Sequence, residues 1–199
     1  YEASASVPMV IADGRRREAA SDVSVPTQLI DIMPTILDLA GVPAAKRPKQ
    51  LDGSSLVPLV AGDSNDDERP PFVVSQFHGC NLAASWFMVV QLVEGAAFKL
   101  IHWGTGQEVP SLLFNLSADA AEARNLLAPE RRTARVEAIA AALDASMQSV
   151  IAYADVARRV ARYNHASFAQ WQNATGPSWV DAIHSPDLRW SASWSNDPQ

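Results

Sequence analysis

The sequence is poor in the residues around which small catalytic or stapled domains are usually built. It holds one cysteine, Cys80, in 199 residues. That excludes an intrachain disulfide and any cysteine-based metal cluster. There are four histidines, and no two stand at metal-ligand spacing. A glycine-rich phosphate cradle and a Gly-x-Ser-x-Gly elbow are both missing. No stretch approaches the roughly 18 apolar residues of a membrane span. The start lacks the charged and apolar regions of a signal peptide, and Tyr1-Glu2-Ala3 reads as the middle of a longer chain. Basic residues are the minority: 16 Lys and Arg against 22 Asp and Glu give a formal charge of −6. A nucleic-acid or anionic-membrane partner would need a basic surface. Arg15-Arg16-Arg17 reads as a solvated loop.

What is present is ordinary globular material, 48% apolar and 19% charged, enough for one domain or one and a piece. A chain of this size can bury about 70% of its unfolded surface. The apolar run Val7 to Ala12, ending in Asp13-Gly14, suits a buried strand of an α/β sheet. Asp31 is placed to cap a helix, with Pro34 in its first turn and Gly41 at its end. Ile30, Met33, Leu37 and Ala40 form one stripe of that helix. Leu51-Asp52-Gly53-Ser54-Ser55 reads as a turn before a short helix. The Gly-, Asp- and Pro-rich stretch 61–71 reads as a linker. Beyond it, Phe72–Phe77, Trp86–Leu92, Phe98–Trp103 and Leu112–Leu116 are four β-prone runs, predicting a small antiparallel sheet. An Ala-rich segment from Glu130 to about Ile151 carries Val136, Ile139, Ala140, Leu143, Met147 and Val150 at helical spacing. It is the natural cover for that sheet. The last section holds Trp171, Trp179, Trp190 and Trp194 and is expected to lie over the rest of the molecule or a partner.

The fold class is therefore α/β. Residues 1–62 carry the α/β elements, residues 63–150 form the four-stranded antiparallel sheet with its helix, and residues 151–199 form a helical, Trp-rich wrapping tail. Among polar candidates, His78-Gly79-Cys80-Asn81 stands out, because a polar loop follows an apolar strand and its glycine lets backbone approach a ligand. Cys80 itself reads as a buried inert thiol. His102 reads as a hydrogen-bonded strand histidine, and His165 and His184 as structural or surface residues. Asn115-Leu116-Ser117 and Asn173-Ala174-Thr175 fit the N-glycosylation pattern.

Four blocks together resemble the later part of a sulfatase catalytic domain, of the alkaline phosphatase superfamily. They are Val7-Pro8-Met9-Val10-Ile11, the run from Leu29 to Pro43, Leu51-Asp52-Gly53-Ser54-Ser55-Leu56, and Leu113-Phe114-Asn115-Leu116-Ser117-Ala118-Asp119 with Glu122 and Asn125-Leu126. The last is similar to the family's LYDLxxDPxExxNL pattern. Further segments resemble one branch of the family: Tyr1 to Ala5, Gln76 to Asn81, Ala84-Ser85, Arg162-Tyr163-Asn164 and Asp187-Leu188-Arg189-Trp190 with Trp194.

The resemblance implies the C-terminal portion of a lysosomal or secreted hydrolase that removes sulfate from uronate 2-O-sulfate in glycosaminoglycans. It also implies a formylglycine nucleophile, an active-site lysine and Asp and Asn ligands to Ca²⁺, all upstream of residue 1. Cys80 is followed by Asn81, Leu82, Ala83 and Ala84, so it is not the formylglycine motif. From Val90 to Ala97 the chain departs from relatives that carry an Arg and a shorter turn. On this reading His78, Asn81 and Ser85 contact the sugar, the missing N-terminal half of the same chain is a partner, and the portion alone is inactive. Two other readings stand beside it: a non-catalytic glycan-binding protein with a sulfatase shell, and a phosphodiesterase or phosphonate hydrolase of the same superfamily.

Overall fold

The computed structural model describes residues 5–12, 14, 22–62, 69–78, 85–104 and 109–178. The four β-prone runs become four strands: β1 (Phe72–His78), β2 (Ser85–Val93), β3 (Ala96–Trp103) and β4 (Val109–Asn115). They pair antiparallel in sequence order as one meander. The β2–β3 hairpin closes on Glu94-Gly95, both with positive φ (52° and 80°). That is the backbone a two-residue hairpin turn demands, and it sets the register Val93↔Ala96.

The middle strands are apolar almost without alternation because both of their faces are covered. On one face Phe87, Val89, Phe98, Leu100 and Leu113 pack against Ile139, Leu143, Met147 and Ile151. On the other, Met88, Ile101 and Phe114 are buried with Ala5, Trp86, Leu112 and Leu116 around them. The covering helix is α3 (Ala134–Gln148), whose amide at Val136 donates to the Thr133 side chain. The helical stripe stops one position short of the expected one. Val150 is exposed and Ile151 is buried instead, because the helix ends at Gln148 and the chain turns.

A 23-residue helix, α4 (Tyr153–Thr175), follows and has no fully buried residue. Only its first turn, through Tyr153 and Val156, packs on the sheet core. Trp171 is partly exposed. Trp179, Trp190 and Trp194 lie outside the described residues.

The leading segment is organised differently. A 3-10 turn (Leu29–Asp31) runs into α1 (Ile32–Leu39), and α2 is the short helix Val57–Val60. Gly41, at φ 65°, ends α1 as expected. The expected strand at Val7 to Ala12 is not formed: its described residues carry no ladder, and Val10 is 91% exposed. The four strands of the described residues pair only with one another, so the run has no neighbour there.

The buried face of α1 also departs from expectation. Asp31, Pro34 and Thr35 are buried, while Ile30, Met33 and Ile36 are about half exposed. Asp31 does not cap the helix from its N-cap position. Its Oδ2 accepts the Gln28 amide (3.0 Å) and Arg69 Nη1 (2.9 Å), and its Oδ1 accepts the Ser54 amide (2.9 Å). Thr35 Oγ1 donates to Asp31 O and accepts the Leu56 amide. Gly53 is needed here for space: a Cβ on it would lie 2.2 Å from Ile30 O.

Candidate functional site

At the end of β1 and the start of β2, two of the three residues singled out from sequence face each other. His78 and Ser85 are cross-strand partners at the last rung of the β1–β2 ladder. The pleat puts them on the same face as Phe87, since Ser85 and Phe87 are two apart on β2. Ser85 is buried, and its Oγ lies 2.8 Å from His78 Nδ1. Nε2 of His78 lies 3.2 Å from Gln76 Oε1 and points to the exposed side. A neutral imidazole with its proton on Nε2 satisfies both contacts: Ser85 donates to Nδ1 and Nε2–H donates to Gln76. Burial holds His78 below its ordinary pKa, which favours that neutral form. The third candidate, Asn81, and Cys80 with it, lie outside the described residues.

A second polar group on the same face was not singled out in the sequence. His102, on β3, is the cross-strand neighbour of Phe87. Its Nδ1 is 2.5 Å from Ser111 Oγ of β4, and its Nε2 is 2.8 Å from Asp144 Oδ1 of α3. The hydroxyl of Tyr153, the first residue of α4, donates to the same carboxylate oxygen at 2.9 Å. Burial first, and then the Asp144 carboxylate, push the Tyr153 phenol far above its ordinary pKa. It therefore stays a donor. The expectation of a hydrogen-bonded strand histidine holds for His102. Its partners were hidden, because Asp144 lies 42 residues away and reads simply as the polar side of a helix.

The sulfatase-like pattern around β4 is structural in this molecule. Asn115 Oδ1 accepts the Ala118 amide, Asp119 accepts the amides of Ala123 and Arg124, and Asn125 Oδ1 accepts those of Leu113 and Leu127. Glu122, at φ 53°, reaches back to Lys99, whose Nζ lies 2.8 Å from Glu122 Oε1 with both side chains buried. A lysine inside the apolar run Phe98-Lys99-Leu100-Ile101 is the signal that could have revealed this pair, since a buried charge needs a partner.

Of the two glycosylation candidates, Asn115 is half-buried at the end of β4 and Asn173 is exposed near the end of α4. The hydroxyl in each triplet is engaged, Ser117 accepting the Ala97 amide and Thr175 donating to Trp171 O. His165 is exposed on α4, and His184 is outside the described residues. Among the described residues no group of three or more His, Cys, Asp or Glu gathers to hold a metal. The donor set for Ca²⁺ is thus not assembled among them. No helix of the described residues is long and apolar enough to cross a membrane.

These blocks and their order match a known family. The model for the C-terminal region of N-sulphoglucosamine sulphohydrolase covers residues 1–152, and the chain belongs to that sulfatase family. Over its whole length it is similar to arylsulfatase K. The identity is 36% over 199 residues with the Danio rerio protein, covering 99% of this chain and 35% of that one. With the Homo sapiens protein it is 33% over 204 residues, covering 100% and 35%. The chain therefore spans about a third of the length of these relatives. A solved structure described as a 2-O GAG sulfatase aligns with 60% of this chain and 24% of its own, at 24% identity and a TM-score of 0.43.

Proposed function

We propose that this chain is the C-terminal portion of a sulfatase that hydrolyses sulfate esters of glycans, with uronate 2-O-sulfate in glycosaminoglycans as its substrate. What supports the class is the family match together with arylsulfatase relatives along the entire chain. The observation that carries the site is the His78–Ser85 pair, an imidazole fixed from behind by a buried hydroxyl at the last rung of the β1–β2 ladder. Among the described residues its Nε2 edge meets only Gln76, in an exposed contact. A sugar carboxylate or sulfate oxygen can replace that contact without disturbing Nδ1. An N–H donor fixed in advance binds such an oxygen with little ordering cost. On this reading Asn81 adds a hydrogen bond to the sugar, and Ser85 acts by fixing the His78 ring.

The formylglycine, the active-site lysine and the Ca²⁺ ligands belong, on this reading, to the larger part of a longer protein. This chain alone is inactive, and the intact protein is lysosomal or secreted. In the intact protein, His78→Ala raises KM or lowers kcat at least about tenfold on a 2-O-sulfated uronate substrate, the loss expected for a contact worth about 1.4 kcal/mol in the transition state. Near-normal kinetics would overturn the assignment of His78. Turnover of phosphate esters in preference to sulfate esters would favour a phosphodiesterase of the superfamily. Tight glycan binding without turnover would favour a non-catalytic glycan-binding role.

A further inference from the structure

Behind His78 stands a stack of packed groups that ends in a single carboxylate. The His78 ring meets Phe87 edge-on, with centroids 5.5 Å apart at 65°. Phe87 is wholly buried, and its other side lies against Tyr153, with centroids 5.0 Å apart at 39°. Tyr153 in turn meets His102 edge-on at 5.7 Å. The position of the Tyr153 ring is set by its hydroxyl, which donates to Asp144 Oδ1. Asp144 is itself held by His102 through the same oxygen and by Gln148 Nε2 through Oδ2 (2.6 Å). His102 is tied to β4 through Ser111. One carboxylate on α3 therefore joins β3, β4 and the start of α4 directly behind the wall on which His78 rests.

We infer that Asp144 and Tyr153 are positioning residues for His78: the Asp144–Tyr153 hydrogen bond sets the Tyr153 ring, Tyr153 sets Phe87, and Phe87 sets the plane of the His78 imidazole. The inference rests on the role proposed for His78 only where substrate is concerned; the positioning itself is a property of the folded chain. Packed interiors transmit such displacements because side chains interdigitate without slack. Ser85 and Gln76 fix the two nitrogens of His78, but hydrogen bonds at the two edges leave the ring able to rock about the line between them. The Phe87 edge contact removes that freedom. Two apolar neighbours and one distant carboxylate thus complete what two polar neighbours begin. The arrangement also gives α4 an influence on the site, because Tyr153 is its first residue.

The test uses the full-length protein with histidine-selective ¹³C labelling. Tyr153→Phe keeps the ring and removes only the hydroxyl. The His78 ring-proton signals are expected to shift, and the titration midpoint to rise by about half a pH unit as the loosened ring gains solvent. KM for a 2-O-sulfated uronate substrate is expected to rise about fivefold with kcat within about twofold, the pattern of a lost binding orientation. Asp144→Ala, which removes the acceptor of the Tyr153 hydroxyl, moves the His78 signals in the same direction. If Asp144→Ala does not fold, Tyr153→Phe decides alone. Unmoved His78 signals in a folded Tyr153→Phe protein overturn the inference, whatever the kinetics. Moved signals with an unchanged KM uphold the positioning and remove His78 from the substrate contacts, so the two ideas fail separately.

Discussion

In residues 22–62 the groups withdrawn from water include a carboxylate and a hydroxyl, Asp31 and Thr35, while Ile32, Met33 and Ile36 lie outside. Residues 72–151 rest mainly on apolar packing, with the Lys99–Glu122 pair and Ser85 as buried polar groups within it. Phe87, Val89, Leu100, Leu113, Leu143 and Met147 fill the interior, and the polar candidates His78, His102 and Asp144 sit only partly buried. The sheet region thus carries its own hydrophobic driving force. The leading region is pinned by directional bonds to Asp31 and Arg69, and its α1 helix presents apolar surface that natural monomers seldom leave in the open. On the proposed function, that surface is where the larger part of a sulfatase packs. Leu29 and Ile30, in the turn that leads into it, are exposed as well.

The largest effects separate the two regions by where damage spreads. Glu122→Ala removes the carboxylate paired with the buried Lys99 ammonium, and losing one partner of a buried pair costs about 3–5 kcal/mol. Denaturant unfolding followed at the sheet tryptophans should show it. Asp31→Ala removes the carboxylate that meets Arg69 Nη1 while Nη2 keeps the Ser54 and Ser55 carbonyls, and costs about 3 kcal/mol, the low end for a broken buried pair. Its effect is expected in limited proteolysis of residues 22–62 and not in the sheet transition. A sheet transition lowered equally by both changes would break the comparison.

Next comes Leu143→Ala, a truncation in the wholly buried face of α3. It should lower stability by about 2–5 kcal/mol in the same denaturant transition. The paired change Ile32→Ser and Ile36→Ser on the outward face of α1 should alter the stability of the isolated chain by no more than about 0.5 kcal/mol. It should nevertheless reduce hydrophobic-dye binding and aggregation of that chain. A strongly destabilised double variant would mean that the face is already covered.

The smallest effect is a slope with pH. Burial holds His78 neutral in the folded chain at pH values where an unfolded imidazole, with an ordinary pKa of about 6.5, takes up a proton. The unfolded state then binds more protons, so stability falls as pH drops through about 6.5 and levels off below the depressed folded value. His78→Gln should flatten that slope slightly. An unchanged slope would show that His78 is solvated.

How much of this was legible follows from which forces shaped each element. The four strands could be read because β2 and β3 are buried on both faces and so became continuous apolar runs, broken by Gly95 and by Gly104. The face of α3 was legible from its period. The face of α1 was not: apolar residues lie on more than one side, and periodicity alone does not say which side meets a neighbour. Asp31 read as a local cap, whereas its charge is spent 38 residues away on Arg69, inside the linker-like stretch. His78 was found because a polar loop follows an apolar strand, and Ser85 through the family resemblance. The Asp144–Tyr153–His102 cluster was missed, because its members are brought together only when α3 and α4 dock on the sheet.

The difference between the two regions can be measured by hydrogen exchange, comparing this chain alone with the full-length protein. Amides of β2 and β3 should be equally protected in both, reflecting a sheet that closes its own core. Amides of Ile32–Leu39 should exchange freely in the isolated chain and become strongly protected in the full-length protein. Equal, strong protection of that helix in both would contradict the account, since α1 would then need no partner.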